Sequence, residues 1–319
     1  MSESPSRYSS KRGRTLKLYL VDGSPSGVIT AELGVSSVRA AVASRTALPE
    51  LIRREEAART GIYLLVGPDP NMPGRQLVYV GEGDQVKTRL AHHDSDETKE
   101  FFTRTVLIVS KDENLTKAHG RYLESRIIAA IRGAGRAKLV NGTEPPFKGL
   151  PEPEIADMER VLDEIEVLLP VLGFDVLRPA GHEAGELVKA ETAMPVAAPS
   201  PMDGDAVFSF TEAGTKATAR EAGDEFVVLA GSLAKALEVP SCGEGLKRRR
   251  AELITDGILT PSDDPKFLRF TADVAFDSPS GAAGAVYGGN VNGRFYWKHA
   301  TTGETYGDWR KRRIGGGAG

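Results

Sequence analysis

Two tyrosines, an arginine, a histidine and a glutamate follow one another along one stretch of the chain. They are Tyr63, Tyr79, Arg89, His93 and Glu124. The tyrosines alone favour packing, because tyrosine is common in half-buried strands. Arg89 and His93 are four residues apart, so on a helix their side chains project from one face. A cation and a titratable imidazole on one surface, together with a carboxylate, can stabilise developing negative charge and transfer protons.

Glu124 is the most informative of these residues, because it lies beside an apolar stripe that includes Ile128. A carboxylate near a core-facing stripe is costly unless it pairs with a cation or binds a metal. Gly120, one turn earlier, leaves room above it. The sequence therefore indicates either a metal ligand or an ion pair with Arg121 or Arg126.

The elements around these residues alternate between short β-type runs and helices. We predict strands over residues 61–66, 76–80 and 105–109 and helices over residues 84–93, 115–132 and 155–169. Asp84 is the predicted N-cap of the first helix, whereas Asn114 and Gly133 are predicted to begin and end the second.

Outside this stretch the sequence predicts several separate segments. We expect a basic tail over residues 1–14, a hairpin and helix extension over 15–59, and a mixed α/β domain over 60–178. An Ala- and Pro-rich linker over 179–205 precedes a small α+β domain over 206–313 and a flexible tail over 314–319. In the α+β domain, a strand over residues 226–229, a helix over 246–253 and an aromatic strand over 295–297 are predicted.

The succession of motifs resembles that of the GIY-YIG nucleases. It comprises Gly61-Ile62-Tyr63, Val78-Tyr79-Val80-Gly81, Arg89 with His93, the helical Glu124, and Asn141. The resemblance covers about residues 60–142 and implies a small α/β (α+β) domain, a three-stranded antiparallel sheet flanked by helices. It also implies hydrolysis of phosphodiester bonds in DNA with one divalent metal ion, Mg²⁺ or Mn²⁺.

The resemblance further implies a role for each matching residue. Glu124 would hold the metal, Tyr63 would activate the attacking water, and Arg89 would stabilise charge on the phosphate. Tyr79 and His93 would assist positioning and proton transfer, while Asn141 would support the site.

Glu82 stands where some relatives carry a lysine near the reacting phosphate. Either Glu82 repels DNA or slows catalysis, or Lys87, His92 or His93 supplies the missing positive charge. The alternative hypothesis is a domain of the same shape that binds nucleic acid without cutting it.

The C-terminal part, residues 208–312, resembles an uncharacterised domain that is appended to bacterial nuclease and restriction-type proteins. Its basic run Arg248, Arg249 and Arg250 is a candidate nucleic-acid contact. Arg294, Trp297 and Trp309 could extend that surface by holding phosphate and stacking on bases. For Trp297 we favour a place in the core. A further basic run covers residues 310–313 and is either a solvated face or a phosphate contact.

Composition excludes several classes of protein. The net charge is −3, with 40% hydrophobic and 27% charged residues, so a uniformly basic nucleic-acid-binding protein is excluded. The single cysteine, Cys242, excludes an intrachain disulfide and a Cys-based zinc site. No apolar run approaches the roughly 20 residues of a membrane span. A cytoplasmic protein without a small-molecule cofactor is expected, and no oligomeric state is predicted.

Overall fold

The computed structural model describes residues 13–69, 72, 75–112, 114–142, 149–178, 206–222, 225–240 and 242–315. The predicted linker over residues 179–205 lies outside these ranges, as do most of the predicted N-terminal tail and residues 316–319. Within the described ranges the structure is mixed α+β.

The strands are β1 (Leu16–Leu20), β2 (Ile29–Leu33), β3 (Val38–Ser44), β4 (Gly61–Pro68), β5 (Gln76–Gly83), β6 (Arg104–Ser110), β7 (Ala137–Leu139), β8 (Val207–Phe210), β9 (Ala217–Ala222), β10 (Glu225–Val228), β11 (Leu233–Lys235), β12 (Leu259–Pro261), β13 (Phe267–Phe270), β14 (Val274–Phe276) and β15 (Lys298–His299). The α-helices are α1 (Leu48–Ile52), α2 (Val86–Ser95), α3 (Lys117–Ala134), α4 (Glu152–Val171), α5 (Glu244–Thr255), α6 (Pro279–Tyr287), α7 (Gly293–Tyr296) and α8 (Tyr306–Gly315). Short 3-10 helices cover Glu55–Ala58, Glu97–Lys99 and Asp175–Leu177.

The first seven strands form one sheet in the order β1-β2-β3-β6-β4-β5-β7. The predicted three-stranded sheet is therefore not confirmed, because its strands are three neighbours, β6-β4-β5, within a larger sheet. Strand β3 pairs with β6 along its whole length and so joins the N-terminal hairpin to the same sheet. Its buried residues are mainly alanine, which gives no strong alternating pattern in the sequence.

Side chains of β4 alternate between two cores, as the period of a strand requires. Ile62 and Leu64 pack in the cluster that contains α3 and α4. Tyr63 and Leu65 face the opposite way, into the cluster that contains residues of α1 and α2. The sheet is thus covered on both faces, and Tyr63 and Tyr79 lie on the face that carries α2.

The helix ends differ from the prediction by two or three residues. Helix α2 follows Gln85, and its N-terminus has no side-chain cap, whereas Asp84 pairs with Lys117 at 2.9 Å. Helix α3 is capped by Thr116 in a capping box with His119. It ends at Gly135, whose φ of 65° lies in the left-handed region that glycine adopts without strain.

The C-terminal region, residues 206–315, has its own two sheets, in the orders β14-β10-β9-β8-β15 and β11-β13-β12. Its hydrophobic cluster surrounds Trp297, which is fully buried and donates its indole N–H to the Pro279 carbonyl at 2.9 Å. The predicted aromatic strand over residues 295–297 is wrong. Because the Asn292 side chain accepts a hydrogen bond from the Arg294 N–H, the short helix α7 forms there instead.

No α-helix in the part of the chain that the structure describes has the length and apolar character needed to cross a bilayer.

The Thr116 cap leads to a prediction about stability. Thr116→Ala removes the side chain that accepts the His119 N–H at the start of α3, and should lower the free energy of unfolding by about 1 kcal/mol. Asn114→Ala, at the position that the sequence favoured as cap, should change it by less than about 0.5 kcal/mol. Urea unfolding of both variants measures this, and equal effects would contradict the assignment of the cap.

Candidate active site

Tyr63 is the centre of the candidate site and is 0% exposed. The Tyr63 hydroxyl lies 2.7 Å from His93 Nε2 and also forms a side-chain hydrogen bond with Arg89. The Tyr79 and His93 rings lie edge to face with centroids 5.0 Å apart. Strands β4 and β5 therefore meet helix α2 at one cluster that includes four of the residues singled out in the sequence.

Gly81 makes this cluster possible. A Cβ at position 81 would lie 2.4 Å from the Tyr63 hydroxyl oxygen, which is too close for any side chain. Gly83 leaves room for Arg89 in the same way, because a Cβ at position 83 would lie 3.0 Å from the Arg89 Cγ. The two glycines at the end of β5 thus leave space for a buried phenol and for the arginine beside it.

Burial controls the protonation of this cluster. Burial, with a contribution from Tyr79, raises the pKa of the Tyr63 phenol above its usual range, while Arg89 acts in the opposite direction. Burial and the nearby charges of Arg89 and Lys99 lower the pKa of His93 to about 4. At neutral pH the phenol therefore keeps its proton, and His93 is uncharged and able to accept one.

Glu124 projects from α3 and is only 8% exposed. Burial and the nearby Glu82 carboxylate raise the pKa of Glu124 to about 7, against opposing contributions from Arg89 and Arg121. The ion pairs offered as an alternative form elsewhere: Arg121 lies 3.7 Å from Glu82, and Arg126 lies 2.8 Å from Glu159. Glu124 is thus a desolvated carboxylate near a second one.

Asn141 connects the strand edge to this site. Strand β7 pairs with β5 from Gln76 to Val78. Beyond that point, the Asn141 side chain rather than the backbone is the hydrogen-bond partner of β5. Its Oδ1 accepts the Val80 N–H at 3.0 Å, and its Nδ2 donates to the Val80 carbonyl at 2.8 Å. Asn141 therefore fixes β5 between Tyr79 and Gly81.

Lys99 belongs to the same cluster and was missed in the sequence. Its Nζ lies 4.6 Å from the centroid of the Tyr79 ring, a cation–π contact. Lys99 is the last residue of the 3-10 helix Glu97–Lys99, which follows α2. The path of the chain after α2 places its ammonium group over the Tyr79 ring. Lys87 is half-buried and His92 exposed on α2, where His92 packs edge to face on His93.

The basic run of α5 lies apart from this cluster and separates into two kinds of residue. Arg248 and Arg249 are exposed, as a nucleic-acid contact requires. Arg250 corrects the prediction, because it is 1% exposed and its guanidinium donates to the carbonyls of Lys235 and Ala285. Arg294 and Trp309 are buried too, so neither extends a nucleic-acid surface.

Among the described residues, no three histidine, cysteine, aspartate or glutamate side chains form a group that could hold a metal ion. The side chains that could contribute to a cation site here are the carboxylates of Glu124 and Glu82. One oxygen of Glu82 is buried without a hydrogen-bond partner, so it is available to a cation.

Comparison with known proteins identifies one part of the chain. A family model described as a domain of unknown function, DUF4357, matches residues 208–310. The expected uncharacterised C-terminal domain is thereby found, whereas the GIY-YIG resemblance of residues 60–142 stays a prediction. No match was found among curated proteins or among solved structures.

The raised pKa of Glu124 predicts a dependence of stability on pH. The folded state keeps the carboxyl proton up to about pH 7, whereas the unfolded chain releases it near 4.5. The associated stability is present below pH 4.5 and lost as the pH rises to 7. Glu124→Gln cannot ionise, so its stability relative to the wild type should increase by about 2 kcal/mol between pH 4.5 and pH 8.

Urea unfolding in EDTA at several pH values measures this difference. Glu166→Gln, at an exposed position of α4, is the matched control and should show a constant difference. A constant difference for Glu124→Gln as well would show that the carboxyl is not desolvated.

Proposed function

We propose that this chain is a metal-dependent nuclease that hydrolyses phosphodiester bonds in DNA. The observation that carries the proposal is the Tyr63 hydroxyl, which contacts both His93 Nε2 and Arg89 within a site that also includes a desolvated Glu124. A buried group that mixes a phenol, a cation, an imidazole and a carboxylate costs stability, and such perturbed groups are typical of functional sites.

The arrangement of strands also supports the finer fold assignment. We infer that β6-β4-β5 with α2 and α3 correspond to the GIY-YIG domain. All three strands are antiparallel, α2 follows β5, and α3 provides the glutamate. The N-terminal strands β1 to β3 are then an extension of that sheet beyond β6.

The residues of the chain suggest a route for one proton. The Tyr63 hydroxyl and His93 Nε2 lie 2.7 Å apart, and in the tautomer with the proton on Nδ1 the hydroxyl donates to Nε2 of a ring that is neutral above about pH 4. For the phenol to transfer its proton to the imidazole, the charge of Arg89 must outweigh the burial that raises the pKa of Tyr63; the phenolate oxygen can then accept a proton from the attacking water. Arg89 stabilises the negative charge that develops on the phenolate and on the phosphate.

Glu124 is the residue that would hold a divalent cation, Mg²⁺ or Mn²⁺, with Glu82 beside it. The fit rests on two observations, the raised pKa of Glu124 caused by burial and Glu82, and the unpaired buried oxygen of Glu82. When bound, such a cation would polarise a phosphoryl oxygen and lower the pKa of a bound water. Glu82, which the sequence indicated as a repulsive feature, would then favour the cation.

DNA would approach through the basic side chains near the site. Lys99 lies over Tyr79, Arg89 and His92 are exposed on α2, and Lys87 is half-buried on the same helix. Phosphate contacts of this kind position a nucleic acid without reading its sequence. Arg248 and Arg249 are a second, separate candidate contact.

The second candidate function is binding of nucleic acid without cleavage. It is favoured by the complete burial of Tyr63, which limits access of water to the phenol. The two functions predict the same affinity for DNA and differ only in turnover.

Cleavage assays distinguish them. With Mg²⁺ or Mn²⁺, the wild type should cut plasmid, single-stranded or branched DNA, and Glu124→Ala should reduce the rate to background. Arg89→Ala should lower kcat about 100-fold, because it removes the charge that stabilises the developing anion. The matched control is Arg126→Ala, which removes an exposed arginine of α3 that pairs with Glu159 and should change kcat less than about two-fold.

A wild-type chain that binds these DNA substrates but leaves all of them intact with either metal would refute the nuclease and favour the binding module.

A further inference from the structure

Asp94, the residue after His93, is 0% exposed and lies among three arginines. Arg45 Nε donates to its Oδ1 at 3.1 Å, and Arg310 Nη2 donates to the same oxygen at 3.2 Å. Arg294 Nη2 lies 3.7 Å from Oδ2. Burial alone would raise the pKa of Asp94, but Arg310, Arg45 and Arg294 hold it well below its usual range. A buried aspartate in α2 is thus ionised and matched by charges from two distant parts of the chain.

Two further acidic residues after α2 meet the same C-terminal region. Asn292 Nδ2 donates to Glu97 Oε1 at 2.6 Å, and Ser280 Oγ donates to Glu100 Oε1 at 2.5 Å. The C-terminal region thus contacts the segment 94–100 at three places, Asp94, Glu97 and Glu100, through Ser280, Asn292, Arg294 and Arg310. All four lie within the residues that match DUF4357.

The segment so held carries two groups of the candidate site. His93 immediately precedes Asp94, and Lys99 lies between Glu97 and Glu100 over the Tyr79 ring. Arg45 reinforces the same segment, because it also donates to the Asp94 and Lys99 carbonyls. A displacement of the segment would therefore move the imidazole that bonds to Tyr63 and the ammonium group above Tyr79.

We propose that the DUF4357 region positions the candidate active site, with Asp94, Glu97 and their partners Arg294, Arg310 and Asn292 acting as positioning residues. The region then acts through His93 and Lys99, and the nuclease-like part needs it for turnover. The kinetic part of this inference rests on the proposed function, whereas the structural part does not.

The first test uses Asp94→Asn, which keeps the shape of the side chain but removes the charge that matches three arginines. Its kcat on DNA should fall at least 10-fold, while KM should change by less than three-fold, because of the candidate phosphate contacts only Lys99 lies in the displaced segment, and Arg89, Arg248 and Arg249 lie outside it. In the absence of metal and DNA, the imidazole ¹⁵N signals of His93 should shift, since its hydrogen bond to Tyr63 is disturbed. Glu50→Gln is the matched control, because it breaks an exposed ion pair with Arg313 between the same two parts and should leave kcat and these signals unchanged.

A milder pair of variants keeps the inference testable if Asp94→Asn does not fold. Asn292→Asp retains the oxygen that caps α7 but replaces the donor to Glu97 with a second carboxylate. Its kcat should fall about three- to ten-fold, and adding Glu97→Gln, which restores a donor and an acceptor, should recover most of the loss.

The outcomes separate the two proposals. A wild-type chain without cleavage would refute the nuclease, and the His93 signals alone would then decide on positioning. Folded Asn292→Asp with wild-type kcat and unchanged His93 signals would overturn the positioning role. A loss in Asn292→Asp that Glu97→Gln does not recover would overturn it as well.

Discussion

The ionised Asp94 carboxylate, buried beneath three guanidinium groups, is the constraint on which the arrangement of this molecule depends. A buried charge is tolerated only if it is matched, and removing one partner of such a set typically costs about 3–5 kcal/mol. The partners come from the turn after β3, from α7 and from α8, so the match exists only when both parts of the chain are folded and in contact. Arg310 strengthens the junction further by donating to the carbonyls of Arg45 and Thr46.

The candidate site depends on this junction through helix α2, which carries Arg89, His93 and Asp94. Asp94 of this helix enters the ion cluster, while the preceding residue, His93, presents its imidazole to Tyr63. Val86 and Leu90 fix the same helix against the sheet by packing in the second core. A short helix of low apolar content is thus held by both hydrophobic contacts and buried charges, which limits the freedom of its functional side chains.

The site itself reduces the stability of the fold. Glu124 is desolvated beside Glu82, and His93 Nδ1 is buried without a hydrogen-bond partner. Neither of these features helps the chain to fold, and the large hydrophobic clusters on both faces of the seven-stranded sheet offset their cost. Groups whose burial opposes folding are consistent with selection for chemistry at this position, because a packing role would be met by apolar residues.

The sequence alone determined the local elements and the order of the chemical residues. Short β-type runs over residues 61–66 and 76–80 predicted the two tyrosine strands, and the period of α3 placed Glu124 beside its apolar stripe, since both signals depend only on neighbouring residues. Asp94 carries a further local signal of a nearby cation, because it lies in the last turn of α2, where the helix dipole disfavours an unpaired carboxylate.

Only the tertiary structure decided which charges are buried. Arg250 and Arg310 stand in basic runs that look uniformly solvated, yet each guanidinium lies inside and donates to backbone carbonyls, while Arg248, Arg249 and Lys311 in the same runs are exposed. It likewise brought Lys99 over Tyr79 and placed β3 beside β6, which joins the N-terminal strands to the same sheet. These outcomes depend on contacts between residues far apart in the chain, and the local pattern carries no information about such partners.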